Sequence, residues 1–418
     1  MDKLNPNITK QQSATDINAS VWVFASAGSG KTKVLIDRIL NLLLAKVPPY
    51  KILCLTYTKA ASSEMKTRIS DKLKKWVVMP QSELAEEIEA ITANKTNVEQ
   101  INWAKSLFAK VVDESDNLKI FTIHAFCQSL LKRFPIEAGV NPNFSVIDDL
   151  TATKLHQEAC SKLLQKAYSD ASISEALNQV SSSLNRDNFL ELINIILANN
   201  FNFEQLREQF KTSDNYLSAT HRFYDFDEKA TIASLWQNFC QDCEKIKPFM
   251  LNLATTLKSH KNRTPVTAGE GIECFFGNPT LENLDNYKSS FLTDNRLKSN
   301  LTKCLDENLL EDLEREKIRI LNFEDRLASL EIAINSRAML ILEQELNKIY
   351  TNELKQKNVL DYNDLIIKSI KFLSNSEVNP WVMYKLDGGI DHVLVDEAQD
   401  TSKLQWQIIK LLTQDFFV

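Results

Sequence analysis

Residues 21–32 read Val21-Trp22-Val23-Phe24-Ala25-Ser26-Ala27-Gly28-Ser29-Gly30-Lys31-Thr32, and Lys33, Val34, Leu35, Ile39, Leu42 and Leu43 follow. Four β-forming apolar residues, a loop of small residues, Gly-Lys-Thr and an amphipathic helical period succeed one another in the order strand, loop, helix. A strand that feeds a tight loop into a helix belongs to a parallel α/β sheet, so this stretch decides the fold class. The loop must curl so that successive N–H groups point into one concavity, which Gly28 and Gly30 permit. The helix start adds its positive end where a phosphate would sit. Lys31 is placed to bridge β- and γ-phosphates, and Thr32 to offer a hydroxyl to Mg²⁺. Ala25 stands where the strict pattern has glycine. The alternative is an ordinary strand-to-helix turn with a chance Gly-Lys-Thr.

Far along the chain, Val393-Leu394-Val395-Asp396-Glu397-Ala398-Gln399-Asp400 places two acids at the end of a second apolar run. In an open α/β sheet the carboxyl edge faces the ligand crevice, and the phosphate loop leaves from the same edge. Asp396 would hold Mg²⁺ through water, and Glu397 would orient and deprotonate an attacking water. A plain helix start would also favour these acids. Hundreds of residues separate the two motifs, which requires a large block between them.

Composition describes that block. The chain has 8 Gly and 10 Pro in 418 residues, against usage of about 7% and 5%. Neither occurs over residues 143–247 or 280–379, and Leu310, Leu313, Ile318, Ile320, Leu321, Leu327, Leu330, Ile332 and Ile334 recur with a helical period. At least one long helix is expected there. Residues 248–279, with three Pro and three Gly, read as a loop or irregular hairpin. Runs at residues 21–24, 52–55, 120–123, 144–147 and 393–395 read as strands of one parallel sheet with helices on both faces. The expected organisation is an α/β domain of residues 1–150 and 358–418, interrupted by a mainly α-helical insertion over 151–357. No apolar run approaches the roughly 20 residues that span a bilayer, and no signal-peptide pattern opens the chain. Seven cysteines suit reduced thiols in a cytoplasmic protein. A net charge of −6 leaves any polyanion contact to a local surface.

The remaining stations are individually weak. Thr56, Tyr57 and Thr58 close the second strand before a helix carrying Glu64, Met65 and Arg68. Hydroxyls, an aromatic and a helix start at a sheet edge suit phosphate contact and base stacking, as well as an ordinary turn. Thr122 and His124 end the third strand, where a lone His is more often structural. Gln11, with Gln12, lies where an amide could read an adenine edge. Cys240 and Cys243 have redox or zinc spacing without a second pair, which favours structural thiols. Lys66, Arg68, Lys72, Lys74 and Lys75 read as a solvated helix face or as charge beside DNA.

In order, these stations resemble the superfamily 1 helicases of the UvrD/RecB type, most closely the AddA-type helicase–nuclease subunits of bacterial double-strand-break repair. The residues that carry the likeness are Gln11, Ala25 to Thr32, Thr56-Tyr57-Thr58-Lys59-Ala60-Ala61 with Glu64, Met65 and Arg68, Thr122 to Cys127, Asp361-Tyr362 with Asp364-Leu365, and Asp396 to Thr401. The resemblance implies a RecA-like P-loop motor domain using ATP and Mg²⁺. Gln11 would contact adenine, and Ala25, Ser26, Ala27, Gly28, Ser29, Gly30, Lys31, Thr32 and Lys33 would hold the nucleotide. Lys31, Asp396, Glu397 and Gln399 would drive hydrolysis and its coupling, with Thr32 and Asp396 on the metal. Thr56, Tyr57, Thr58, Thr122 and His124 would touch single-stranded DNA. The partners implied are single-stranded DNA and duplex ends, a second RecA-like domain with its arginines, and an AddB-like second subunit. That RecA-like domain follows a Gly-Asp-x-x-Gln-Ser motif in the family and is not in this sequence. Without such arginines phosphoryl transfer loses about 10³–10⁵ in rate, so a motor half with little unwinding activity by itself is expected. The competing expectation is a non-catalytic nucleotide-binding or partner-binding remnant of a split helicase gene.

Overall fold

The computed structural model describes residues 13–24, 26, 30–113, 118–181, 186–375, 385 and 389–414. The chain forms two compact units, Met1–Thr153 with Leu354–Val418, and Lys154–Glu353. It is a mixed α/β protein, mostly helical, with a parallel sheet.

In chain order the first unit contains α1 (Lys31–Leu44), β1 (Ile52–Thr56), α2 (Lys59–Val78), α3 (Gln81–Thr92), α4 (Val98–Asp113), β2 (Lys119–Thr122), α5 (Ile123–Arg133), β3 (Ser145–Val146), β4 (Val359–Leu360), α6 (Tyr362–Ser374), β5 (His392–Val395) and α7 (Lys403–Thr413). Strands β2, β1 and β5 lie side by side in that order, all parallel, with Cys54 opposite both Ile120 and Leu394. All five residues of β1 are buried, as a strand covered on both faces requires. Ile52 and Cys54 enter one core with Leu43, Met65, Ile88 and Ala104 from α1 to α4. Leu53 and Leu55 enter a second core with Cys127, Leu365 and Ile408 from α5, α6 and α7. The sheet edge from which all three strands run into polar residues is thereby held between two helical layers.

Two expected strands differ. Residues 21–24 are in no strand, and Val21, Trp22, Val23 and Phe24 are 42%, 70%, 44% and 96% exposed. A four-residue segment at a sheet edge has few ladder bonds to offset the entropy of ordering it. Of residues 144–147 only Ser145–Val146 pair, with Val359–Leu360 in a separate two-stranded parallel sheet. A turn closed by Phe144 N–H on the Asn141 carbonyl precedes them, and Asp148 caps the next helix through Thr151 N–H. The strand is cut short from both sides.

The second unit is helical around a core of Phe239, Cys243, Leu257, Ile272, Phe275, Tyr287 and Ile320. Its longest element, Glu307–Lys357, spans 51 residues. Residues 248–279, expected as a loop, belong mostly to the helices Ile232–Lys258 and Arg263–Gly277. Pro265 sits in a first turn, where proline is tolerated. Gly269 and Gly271 let helices approach: a Cβ at Gly269 would stand 2.6 Å from the Ala254 carbonyl oxygen, and one at Gly271 would stand 2.3 Å from Ser290 Cβ. These breakers serve packing. The breaker-free stretch conversely contains a hairpin, Leu292–Thr293 against Arg296–Leu297. Its turn places Asp294 and Asn295 at φ 49° and 59°, a left-handed pair that Asp and Asn tolerate without glycine.

Candidate nucleotide and nucleic-acid site

Helix α1 begins directly after Gly30, whose φ of 89° lies in the left-handed region and which offers no side-chain cap. No acid occupies the first turn, so the positive end of the helix is left for an outside anion. Lys31 and Thr32 are half-buried there and Lys33 is exposed; Ser26 is exposed as well. Gln11, Ala25, Ala27, Gly28 and Ser29 lie outside the described residues. Arg38, two turns into α1, anchors the preceding chain by donating to the carbonyls of Ala14 (3.0 Å) and Ala19 (2.6 Å).

At the end of β5, Asp396 N–H donates to the Leu55 carbonyl at 2.8 Å and so extends the ladder by one residue. Glu397 then turns into the left-handed region, φ 51° and ψ 46°, an uncommon conformation for a non-glycine residue and one that recurs at functional sites. Its N–H donates to Asp396 Oδ1 at 3.1 Å, and the Gln399 side-chain amide donates to the Glu397 carboxylate. Burial, and next the Glu397 charge, raise the Asp396 carboxyl above its usual range; the Glu397 N–H and the Lys31 charge pull it back. The Lys31 charge thus reaches Asp396 at the end of β5. Glu64 on α2, for which the sequence alone suggests no role, also acts on Asp396, and Arg68 pairs with it at 2.5 Å.

These groups fit Mg²⁺. A threonine hydroxyl and carboxylates are hard oxygen donors, and Asp396, held above its usual range, has no ion pair among the described residues. No group of three or more His, Cys, Asp or Glu placed to hold a metal occurs among them.

The strand-contact candidates separate into two kinds. Thr56 is buried, and its hydroxyl donates to the carbonyls of Thr58 (3.2 Å) and Phe121 (3.4 Å). Thr122 is buried and caps α5 by accepting from Ala125 N–H at 3.2 Å. Both hydroxyls take part in hydrogen bonds that shape the edge. Thr58 is exposed and caps α2 through Ala61 N–H, and Tyr57 is half exposed. His124 is half-buried with its ring edge-on to Tyr362 at 5.0 Å; burial lowers its pKa, with Asp149 opposing. Beside it Asp361 accepts from Asp364 N–H at 2.7 Å, and burial, then the Asp361 charge, push Asp364 up to about 7. Nothing in the local sequence marks that perturbation.

Of the basic run on α2, Lys72 pairs with Asp37 (3.0 Å) and Glu87 (3.3 Å), and Lys74 with Asp71 (3.6 Å). Lys66 lies over the Phe121 ring at 5.6 Å. Cys243 is buried, and its sulfur accepts from Arg319 at 3.4 Å. Burial raises both the Cys240 and Cys243 thiols, the signature of inert structural cysteines. No helix among the described residues is long and apolar enough to cross a membrane.

Residues 6–418 match the profile of the UvrD/REP helicase N-terminal domain. An ATP-dependent helicase/nuclease subunit of Lactobacillus acidophilus is 26% identical over 463 residues, and one of Lactobacillus gasseri is 24% identical over 450, each covering 97% of this chain and 34% of the relative. The corresponding helicase/nuclease subunit of Listeria monocytogenes is 24% identical over 436 residues, covering 94% of this chain and 32% of its own length. The chain spans about a third of the length of the curated relatives it matches.

Proposed function

The chain belongs to the UvrD/REP helicase N-terminal domain family, and from that premise we propose that it is the N-terminal motor part of an ATP-dependent DNA helicase of double-strand-break or recombinational repair. What supports this reading is the acidic pair Asp396-Glu397 at the carboxyl end of β5, beside β1 in one parallel sheet, together with a helix that opens on Lys31 and Thr32 directly after a left-handed Gly30. We read residues 1–150 and 358–418 as a RecA-like domain and residues 151–357 as its helical insertion.

In this reading Gln11 recognises adenine, the loop from Ala25 to Gly30 with the start of α1 cradles the phosphates, and Lys31 bridges the β- and γ-phosphates. Thr32 and Asp396 hold Mg²⁺, which when bound neutralises charge on the phosphate oxygens. Glu397, turned by its left-handed backbone, accepts the proton of the attacking water. Gln399 begins hydrogen-bonded to Glu397 and moves to the γ-phosphate, linking nucleotide state to the strand-contact loop. Tyr57, Thr58 and His124 contact single-stranded DNA, with Tyr57 as the stacking aromatic. The partners are single-stranded DNA, duplex ends, a second motor domain whose arginines complete the ATP site, and an AddB-like protein. The helicase/nuclease relatives are about three times longer than their match to this chain, so unwinding is assigned to the longer assembly, and the 418-residue chain by itself should separate strands very little.

Calorimetry of the 418-residue chain with ATP and Mg²⁺ tests this directly. Binding by the wild type and its loss in Lys31→Ala are expected. Equal heats from both proteins would remove the nucleotide assignment, and efficient unwinding by this chain alone would remove the motor-half reading.

A further inference from the structure

Glu64 and Arg68 form an exposed ion pair on the flank of α2 that the fold turns toward the candidate site. Each residue of a helix advances about 100° around its axis, so the contacts of a few positions fix the direction of the rest. Met65 faces β1, with Cys54 Sγ 3.3 Å from Met65 Sδ. Ser62 and Lys66, to one side of it, face β2: the Ser62 hydroxyl donates to the Ile120 carbonyl at 3.4 Å, and Lys66 covers the Phe121 ring. Glu64 and Arg68 therefore lie on the other flank, toward β5 and α1, since β1 separates β2 from β5. One turn beyond Arg68, Lys72 pairs with Asp37 of α1 at 3.0 Å. Both helices run away from the carboxyl edge of the sheet, because α1 leads back to the start of β1 and α2 leaves its end. Counting back from the Lys72–Asp37 pair, Arg68 is level with the first turn of α1, and Glu64 lies a turn nearer the edge. From there the Glu64 charge reaches Asp396, whose N–H is bonded to the Leu55 carbonyl of β1.

We propose that Glu64 is a further carboxylate of the Mg²⁺–nucleotide site, reaching the cation through water beside Asp396, and that Arg68 restrains it by pairing with its charge. The inference rests on the nucleotide reading above. Mg²⁺ gives up its waters reluctantly, so an acid on a neighbouring helix can accept hydrogen bonds from them without touching the cation. Loss of such an outlying partner typically weakens metal binding about 10–100-fold. The side chains of Glu64 and Arg68 are 57% and 52% exposed, so their pair contributes little to stability. The guanidinium beside the carboxylate lowers its attraction for a second cation. A pair that is weak as scaffold and flanks an acid without an internal partner is suited to tuning the metal.

Titrating Mg²⁺ into the 418-residue chain with a fluorescent ATP analogue tests this, read as the Mg²⁺ concentration at half-maximal binding. Glu64→Gln should raise that midpoint about tenfold, and Arg68→Gln should lower it about threefold. Each substitution breaks the same ion pair, so a role in the scaffold would move both midpoints in one direction, whereas charge felt by the cation moves them oppositely. All three proteins should melt together without nucleotide. Midpoints that stay unchanged or move together, a drop in melting temperature shared by both variants, or binding that needs no Mg²⁺ would overturn the proposal and leave the nucleotide reading in place. If the analogue binds the wild type at no Mg²⁺ concentration, both fall.

Discussion

In the second unit Glu316, Glu343 and Glu353 are buried, and each faces a cation: Arg319 at 2.7 Å, Arg207 and Lys162. Tyr287 adds a hydrogen bond to Glu316 at 2.6 Å, and Arg319 also covers the Phe239 ring at 4.3 Å. In the first unit Asp396 and Glu397 are half-buried at a strand end, and no ion pair to either occurs among the described residues. Desolvating a carboxylate is expensive in both places. The helical unit answers with internal partners, which makes its acids scaffold. The sheet edge leaves the charge incompletely answered, which raises the Asp396 carboxyl and favours any cation that arrives. A carboxylate whose charge is matched inside the fold and one whose charge is left over thus differ in function although both are drawn out of water.

Experiments that exchange these situations would break the contrast. The largest effect is expected from Arg207→Ala, which strands Glu343 in the helical core. A loss of about 3–5 kcal/mol is expected from denaturant unfolding, with nucleotide binding by the folded fraction unchanged. A loss below about 1 kcal/mol would mean that Glu343 is solvated or neutral. Next is Lys31→Ala, expected to weaken ATP binding about a hundredfold with little change in melting temperature, because Lys31 is matched to nucleotide phosphates more than to the fold. A matching stability loss would place Lys31 with the scaffold charges. Tyr57→Ala should weaken single-strand binding by about 1–3 kcal/mol in an anisotropy titration, whereas Thr56→Val, at a buried hydroxyl, should act on stability instead.

The smallest effect concerns Asp364, whose folded carboxyl titrates at about 7 against an ordinary value of 3.8. The folded chain holds this proton where the unfolded chain has released it. Stability from this group is therefore full below about 3.8, is lost as pH rises to about 7, and is flat above. Asp364→Asn should remove that slope and gain stability relative to the wild type as pH rises toward about 8, with no gain in acid below the ordinary carboxylate range. Parallel melting profiles of the two proteins across that range would show that Asp364 is not enclosed.

Strands β1, β2 and β5 are readable in the sequence because each is an apolar run ending in polar residues, and the 51-residue helix is readable from its period. The helices across residues 248–279 are not. Glycine and proline read locally as breakers, but Gly269 and Gly271 make room for Ala254 and Ser290, contacts that no local pattern announces. The hairpin at Asp294 and Asn295 escapes notice for the complementary reason: its turn uses left-handed Asp and Asn in place of glycine. At the candidate site the sequence offers Thr56, Tyr57, Thr58 and Thr122 as equivalent polar residues. Only packing distinguishes the buried hydroxyls of Thr56 and Thr122 from the exposed Tyr57 and Thr58.

By itself the sequence determined which segments prefer helix or strand and which chemistries stand at their ends, since side-chain period and residue type act over a few neighbours. The tertiary structure decided which polar groups are answered internally. It also brought an amine near the start of the chain to act on a carboxylate near its end. Both depend on which strands pair and which helices cover them, and those choices are made by contacts between residues hundreds of positions apart.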